Sequence, residues 1–208
     1  LRSLIALNLV STLAQIGQYG LGSTLLPLAL QARGASPWQI GVASAALWFG
    51  MLGGLLLAGS LTRRLGYRLT VVAGLALSAA AFAVMPWLPW AVWSLPAAAI
   101  GMGLGLRWIA NETWLYRLAP AEARGRVVGL HETLIGIASI AGPVLVVATG
   151  ALKPDAFLIG AALTASAALP LWLATPLDAT AAGADGSPAT PTTSLRIRVL
   201  AFAATLSV

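Results

Sequence analysis

The chain has 208 residues, of which 59% are hydrophobic and only 9% charged, with a mean hydropathy of +0.88. Soluble globular domains average about 25% charged residues, so this composition excludes a soluble enzyme. The net charge of +6 comes from basic residues in short loops, with no basic cluster interleaved with aromatics, so nucleic acid is not an expected partner.

Six long apolar runs follow one another: Leu4–Leu30, Trp38–Leu61, Leu69–Leu88, Pro96–Leu118, Val127–Leu152 and Phe157–Ala174. Each spans roughly 18 to 27 residues, enough for a helix to cross a hydrocarbon core about 30 Å thick. The first is too long, and too lightly charged on its N-side, for a cleaved signal peptide. Arg2, Arg63, Arg64, Arg68, Arg117, Arg124, Arg126, Arg196 and Arg198 fall on one side of these runs, whereas Arg33 and Lys153 fall on the other. The positive-inside rule therefore predicts a cytoplasmic N-terminus, with the second and fourth loops on the same side.

In the first run Asn8, Ser11, Gln15, Gln18 and Gly22 recur at three- and four-residue steps, giving one polar stripe with Tyr19 at its edge. Interhelical hydrogen bonds are the plain reading of such a stripe; the lining of a polar path is the functional one. Ser36, Pro37 and Gln39 read as a capping box that opens the second helix. Pro86, Pro89 and Pro96, with Trp87, Trp90 and Trp93 between them, mark an outer turn whose tryptophans suit a membrane-interface belt.

The third and sixth runs carry no charge and no Asn, Gln or His, and are expected to face lipid. The fourth carries Arg107, Asn111 and Glu112. An arginine at mid-membrane costs at least about 2.5 kcal/mol, so it needs a partner or a wet cavity. At helical spacing Arg107, Asn111 and Trp114 share a face while Glu112 points elsewhere, so Arg107 and Asn111 are assigned to the path. In the fifth run His131 and Glu132 lie one to two turns inside the cytoplasmic end, at a depth similar to Glu112. These three could bind and release a coupling proton, or pair at the headgroup level with Arg126 or Arg68.

The chain begins at Leu1, and its last apolar stretch, residues 197–208, is too short to span. Residues 1–174 therefore read as a six-helix bundle, 175–194 as a flexible cytoplasmic linker and 195–208 as the start of a seventh helix. With no cysteine there is no disulfide framework, thiolate metal site or cysteine nucleophile. No metal-ligand spacing, cofactor motif or P-loop is apparent, so neither a membrane-embedded enzyme nor an ATP-driven pump is supported.

Residues 59–68, on the basic side between the second and third helices, resemble the major facilitator superfamily loop Gly-x-Leu-Ala-Asp-Arg-x-Gly-Arg-Arg. Gly59, Leu61, Arg64, Gly66 and Arg68 match; Arg63 stands at the acidic position and Tyr67 at the first arginine of the closing pair. Gly129, Gly142 and Pro143 fit the spacing of the family's fifth-helix glycine-proline motif, with Ala138, Val146 and Val147 in place of other motif positions. Leu26-Pro27-Leu28, residues 38–42, residues 108–112 and residues 124–126 resemble a bacterial subgroup of unassigned substrates.

The resemblance implies an all-α, twelve-helix membrane fold of two rocking six-helix halves, this chain supplying the first. It further implies a secondary transporter of a small organic solute in the bacterial inner membrane, driven by protons or by the solute's own gradient and including efflux. The other half would be the rest of the chain or a second copy. The alternative is a sensor or scaffold on the same fold that transports nothing, using its basic loops for docking.

Overall fold

The computed structural model describes residues 1–149 and 154–177, and no strand occurs among them. Most of the expected linker, the expected seventh-helix start and Lys153 lie outside the described residues.

The first helix, α1, runs Arg2–Ala32. Its middle, Gln15–Leu21, widens into a π-helix, whose i→i+5 bonding adds a residue to each hydrogen-bonded ring. Ser36 then caps the next helix as its sequence predicts. The Gln39 N–H donates to Ser36 Oγ at 3.3 Å, and the Ser36 N–H donates to Gln39 Oε1 at 2.8 Å, with Pro37 at the first helical position.

The stretch Pro37–Val84 is broken at Gly66, where φ is 81° and ψ is 167°. A positive φ of that kind is cheap only for glycine, so the loop motif places its glycine where the chain must turn. The two arms are α2 (37–65) and α3 (67–84). They are followed by α4 (Ser94–Leu118), α5 (Arg124–Thr149) and α6 (Pro154–Ser166), the last continued by a 3-10 turn at Leu169–Leu173.

By length and composition, four described stretches could cross a membrane: Arg2–Ala32, Pro37–Trp87, Ala121–Ala148 and Asp155–Leu173. The second of them holds both α2 and α3. The helix α4 is also long, at 25 residues, but polar through its middle. Six helices, α1–α6, occupy the described parts of the six apolar runs.

Helix α4 is held between α2 and α3 by backbone contact. A Cβ on Gly101 would strike Leu47 O, one on Gly105 would strike Met51 O, and one on Gly103 would strike Gly74 O. Small residues that let helices touch are the usual device where lipid competes for apolar side chains.

The interior is layered. One apolar cluster gathers Leu21, Leu25, Phe82, Trp93, Ile100 and Phe157; another gathers Leu7, Val10, Val71, Trp114 and Leu171. Along the sequence of each helix, the buried polar side chains Gln15, Gln18, Ser78, Arg107 and Thr164 fall between the two clusters. This forms a polar waist.

Two sequence expectations are corrected. The helices α3 and α6 do not simply face lipid: α3 buries Val71, Gly74, Leu75, Ser78 and Phe82, and α6 buries Phe157, Gly160 and Thr164. Their uncharged sequences conceal an inward face built from small residues and hydroxyls. Trp93 does not join an interfacial belt. It is 1% exposed, donates its indole N–H to Met85 O and Leu88 O at 3.1 and 3.2 Å, and lies under the Arg33 guanidinium. Trp87, by contrast, is 72% exposed.

Candidate functional site

The wide π-turn of α1 spreads its polar stripe over several neighbours. Gln15 donates to Ser139 Oγ on α5 at 3.2 Å, whereas Gln18 donates to Ser78 Oγ on α3 at 2.7 Å. Arg107 Nε on α4 donates to Gln18 Oε1 at 3.1 Å. One turn further along α4, Asn111 Nδ2 donates to Ser11 Oγ at 2.7 Å and to Leu7 O at 3.1 Å. A strict 3.6-residue reading puts these side chains on one stripe; the π-turn is the element it misses.

Of the six residues expected to line a path, Asn8, Gln15, Gln18, Arg107 and Asn111 are buried in helix contacts. Tyr19 is only partly buried and meets Trp48 edge-on, with ring centroids 6.1 Å apart. The waist is not fully satisfied. Arg107 Nη2, Gln15 Oε1, Asn111 Oδ1 and Thr164 Oγ1 are buried without a hydrogen-bond partner among the described residues. Polar atoms in that state ordinarily cost about 1–3 kcal/mol each.

Glu112 points away from Arg107, as helical spacing predicts, and meets α5 instead. His131 Nε2 lies 3.9 Å from Glu112 Oε1, and the ligating atoms of Glu112, His131 and Glu132 all fall within 4.8 Å of one another. His131 is 1% exposed, whereas the Glu112 side chain is 21% exposed and Glu132 is open to the surface. Asn8 Nδ2 donates to Leu4 O at 2.8 Å, which turns Asn8 Oδ1 toward His131 Nδ1 at 3.0 Å. His131 and Glu132, adjacent on α5, and Glu112 on α4 thus form one carboxylate–imidazole–carboxylate triplet, brought together by side-chain contact between the two helices.

The loop motif is used structurally. Arg68 Nη2 donates to Leu171 O at 3.2 Å and Ala174 O at 2.7 Å, capping the end of the α6 segment. Tyr67, at a motif arginine position, stacks on Trp114 with centroids 6.2 Å apart. Arg64 is exposed, and Gly59 and Leu61 are half-buried. On α5, Gly142 abuts Gly20 of the π-turn backbone to backbone. Pro143 follows it within the helix, and Gly129 has open space around it.

These helices, their glycine contacts and the loop at Gly66 define an all-α, multi-pass membrane protein. The sequence profile of the Major Facilitator Superfamily matches residues 7–208, and the chain belongs to that family. Among curated proteins, it is 28% identical over 128 residues to "Uncharacterized MFS-type transporter YcaD" of Escherichia coli, in strains HS and Crooks alike. That match covers 60% of this chain and 33% of each relative, so the chain aligns with about a third of their length.

Proposed function

We propose that this chain is the N-terminal half of a secondary transporter that moves a small organic solute across the bacterial inner membrane by alternating access, with its N-terminus in the cytoplasm. The remaining helices come from the rest of the chain or from a second copy. One observation carries the reading: a buried polar waist whose arginine, Arg107, keeps Nη2 unpartnered among the described residues. A cation in lipid surroundings is costly, and a structural role alone would favour satisfying all of its donors. In this reading Arg107 and Asn111 on α4, with Asn8, Gln15, Gln18 and Tyr19 on α1, line the solute path once the α1–α4 packing opens during the cycle, and the free donor favours an anionic or zwitterionic solute.

Coupling rests on the Glu112 region. His131 Nε2 lies 3.9 Å from Glu112 Oε1, and the ligand atoms of Glu112, His131 and Glu132 fall within 4.8 Å of one another. In this reading Glu112 carries the proton, with His131 and Glu132 as its neighbours.

The described chain has no cysteine, so single-cysteine labelling in a cysteine-free full-length background reads access directly. A Tyr19→Cys variant is expected to react with a membrane-impermeant thiol reagent from one side, and from the other when the proton gradient is reversed. An Arg64→Cys variant is expected to react from the cytoplasmic side alone. Tyr19→Cys reactivity confined to one side under every gradient would contradict alternating access.

A further inference from the structure

We propose that Glu112, His131 and Glu132 form a binding site for a divalent transition-metal ion of the Zn2+ and Co2+ class, at the edge where α4 meets α5. Asn8 Oδ1 can only accept, so His131 Nδ1 carries the hydrogen and donates it across 3.0 Å. In the neutral imidazole Nε2 then presents a lone pair, buried and without a hydrogen-bond partner among the described residues, 3.9 Å from Glu112 Oε1.

At 3.9 Å the two atoms are too far apart for a direct N–H···O hydrogen bond, whereas a cation coordinated by both would bridge them. An imidazole fixed through its other nitrogen, with Nε2 presented, is the outer-shell arrangement that orients a metal-binding histidine. Asn8 is itself held by Leu4 O, so the support reaches a second residue. One imidazole nitrogen and two carboxylate oxygens make a borderline-to-hard donor set. The ligand atoms lie within 4.8 Å of one another. Metal–ligand bonds of about 2.0–2.2 Å need a tighter grouping, and the exposed Glu132 side chain is free to close the gap. The open side that it borders leaves positions for water.

The site goes beyond the transport reading, because metal binding needs only these three side chains and their support. Metal and proton compete for the same lone pairs, so a bound metal would block the coupling group.

The test uses the full-length protein purified without a polyhistidine tag and titrated with Co2+, followed by visible absorption and by Zn2+ displacement. Expected is a saturable absorption band that Zn2+ removes, weakened at least about 10-fold by Glu132→Gln and by Asn8→Ala, lost in His131→Ala and unchanged in Glu122→Gln. Glu132 is exposed, so its variant folds whatever becomes of His131→Ala. No saturable band, or equal affinity in wild type and Glu132→Gln, would overturn the site. Solute-driven proton movement in chelator-treated vesicles reads the transport proposal separately. Proton movement without a Co2+ band would sink the metal site alone; a Co2+ band without proton movement would uphold it and sink the coupling.

Discussion

Gly20 and Gly142 meet backbone to backbone: a Cβ added to Gly142 would fall against Gly20 Cα, inside the π-turn of α1. Gly129, in the same α5 motif, has nothing within 4 Å of its added Cβ. Two glycines of one motif therefore behave oppositely. Gly142→Ala is expected to destabilise the protein by about 1–3 kcal/mol through overpacking. Gly129→Ala should be neutral, or stabilising by up to about 1 kcal/mol through helix propensity. Thermal unfolding in detergent checks both, and equal shifts would contradict the contact.

Arg68 caps the end of the α6 segment through two carbonyls, while Arg64 is exposed. Arg68→Ala should cost about 1–3 kcal/mol, because hydrogen bonds from a charged donor are lost. Arg64→Ala should stay within about 0.5 kcal/mol, as surface changes do. The comparison is made by unfolding midpoint; an Arg64 variant as damaged as the Arg68 variant would reverse these roles.

Arg107 and Gln18 are coupled across α4 and α1. Gln18→Leu alone strips the guanidinium of its described side-chain partner and should cost about 1–3 kcal/mol. Adding Arg107→Met removes the stranded charge and should recover much of that loss, since apolar replacement of buried polar pairs is often near neutral. A double-mutant cycle measures this coupling. Strictly additive losses would show that the two side chains do not depend on each other.

Much of the fold was legible because hydropathy, proline and capping residues act locally. The box Ser36–Gln39 formed as its sequence predicts, and Gly66 turned the chain at the loop motif. The candidate site was legible in membership more than in arrangement. Gln15 and Gln18 share a stripe at ideal helical spacing, but the π-turn sends one to α5 and the other to α3 and α4. His131 and Glu112 came together through packing of helices that sequence spacing does not relate. Trp93 looked like its neighbour Trp87 until the Arg33 side chain and the carbonyls of Met85 and Leu88 drew it inward.

The central claim is that this half-bundle moves a proton through Glu112 in exchange for a solute. The direct measurement is internal pH in sealed vesicles containing the full-length protein, recorded as candidate anionic and zwitterionic solutes are added. Wild type is expected to show a solute-dependent pH change that Glu112→Gln abolishes while yield and unfolding midpoint stay unchanged. An equal pH change in wild type and a well-folded Glu112→Gln variant would contradict the account.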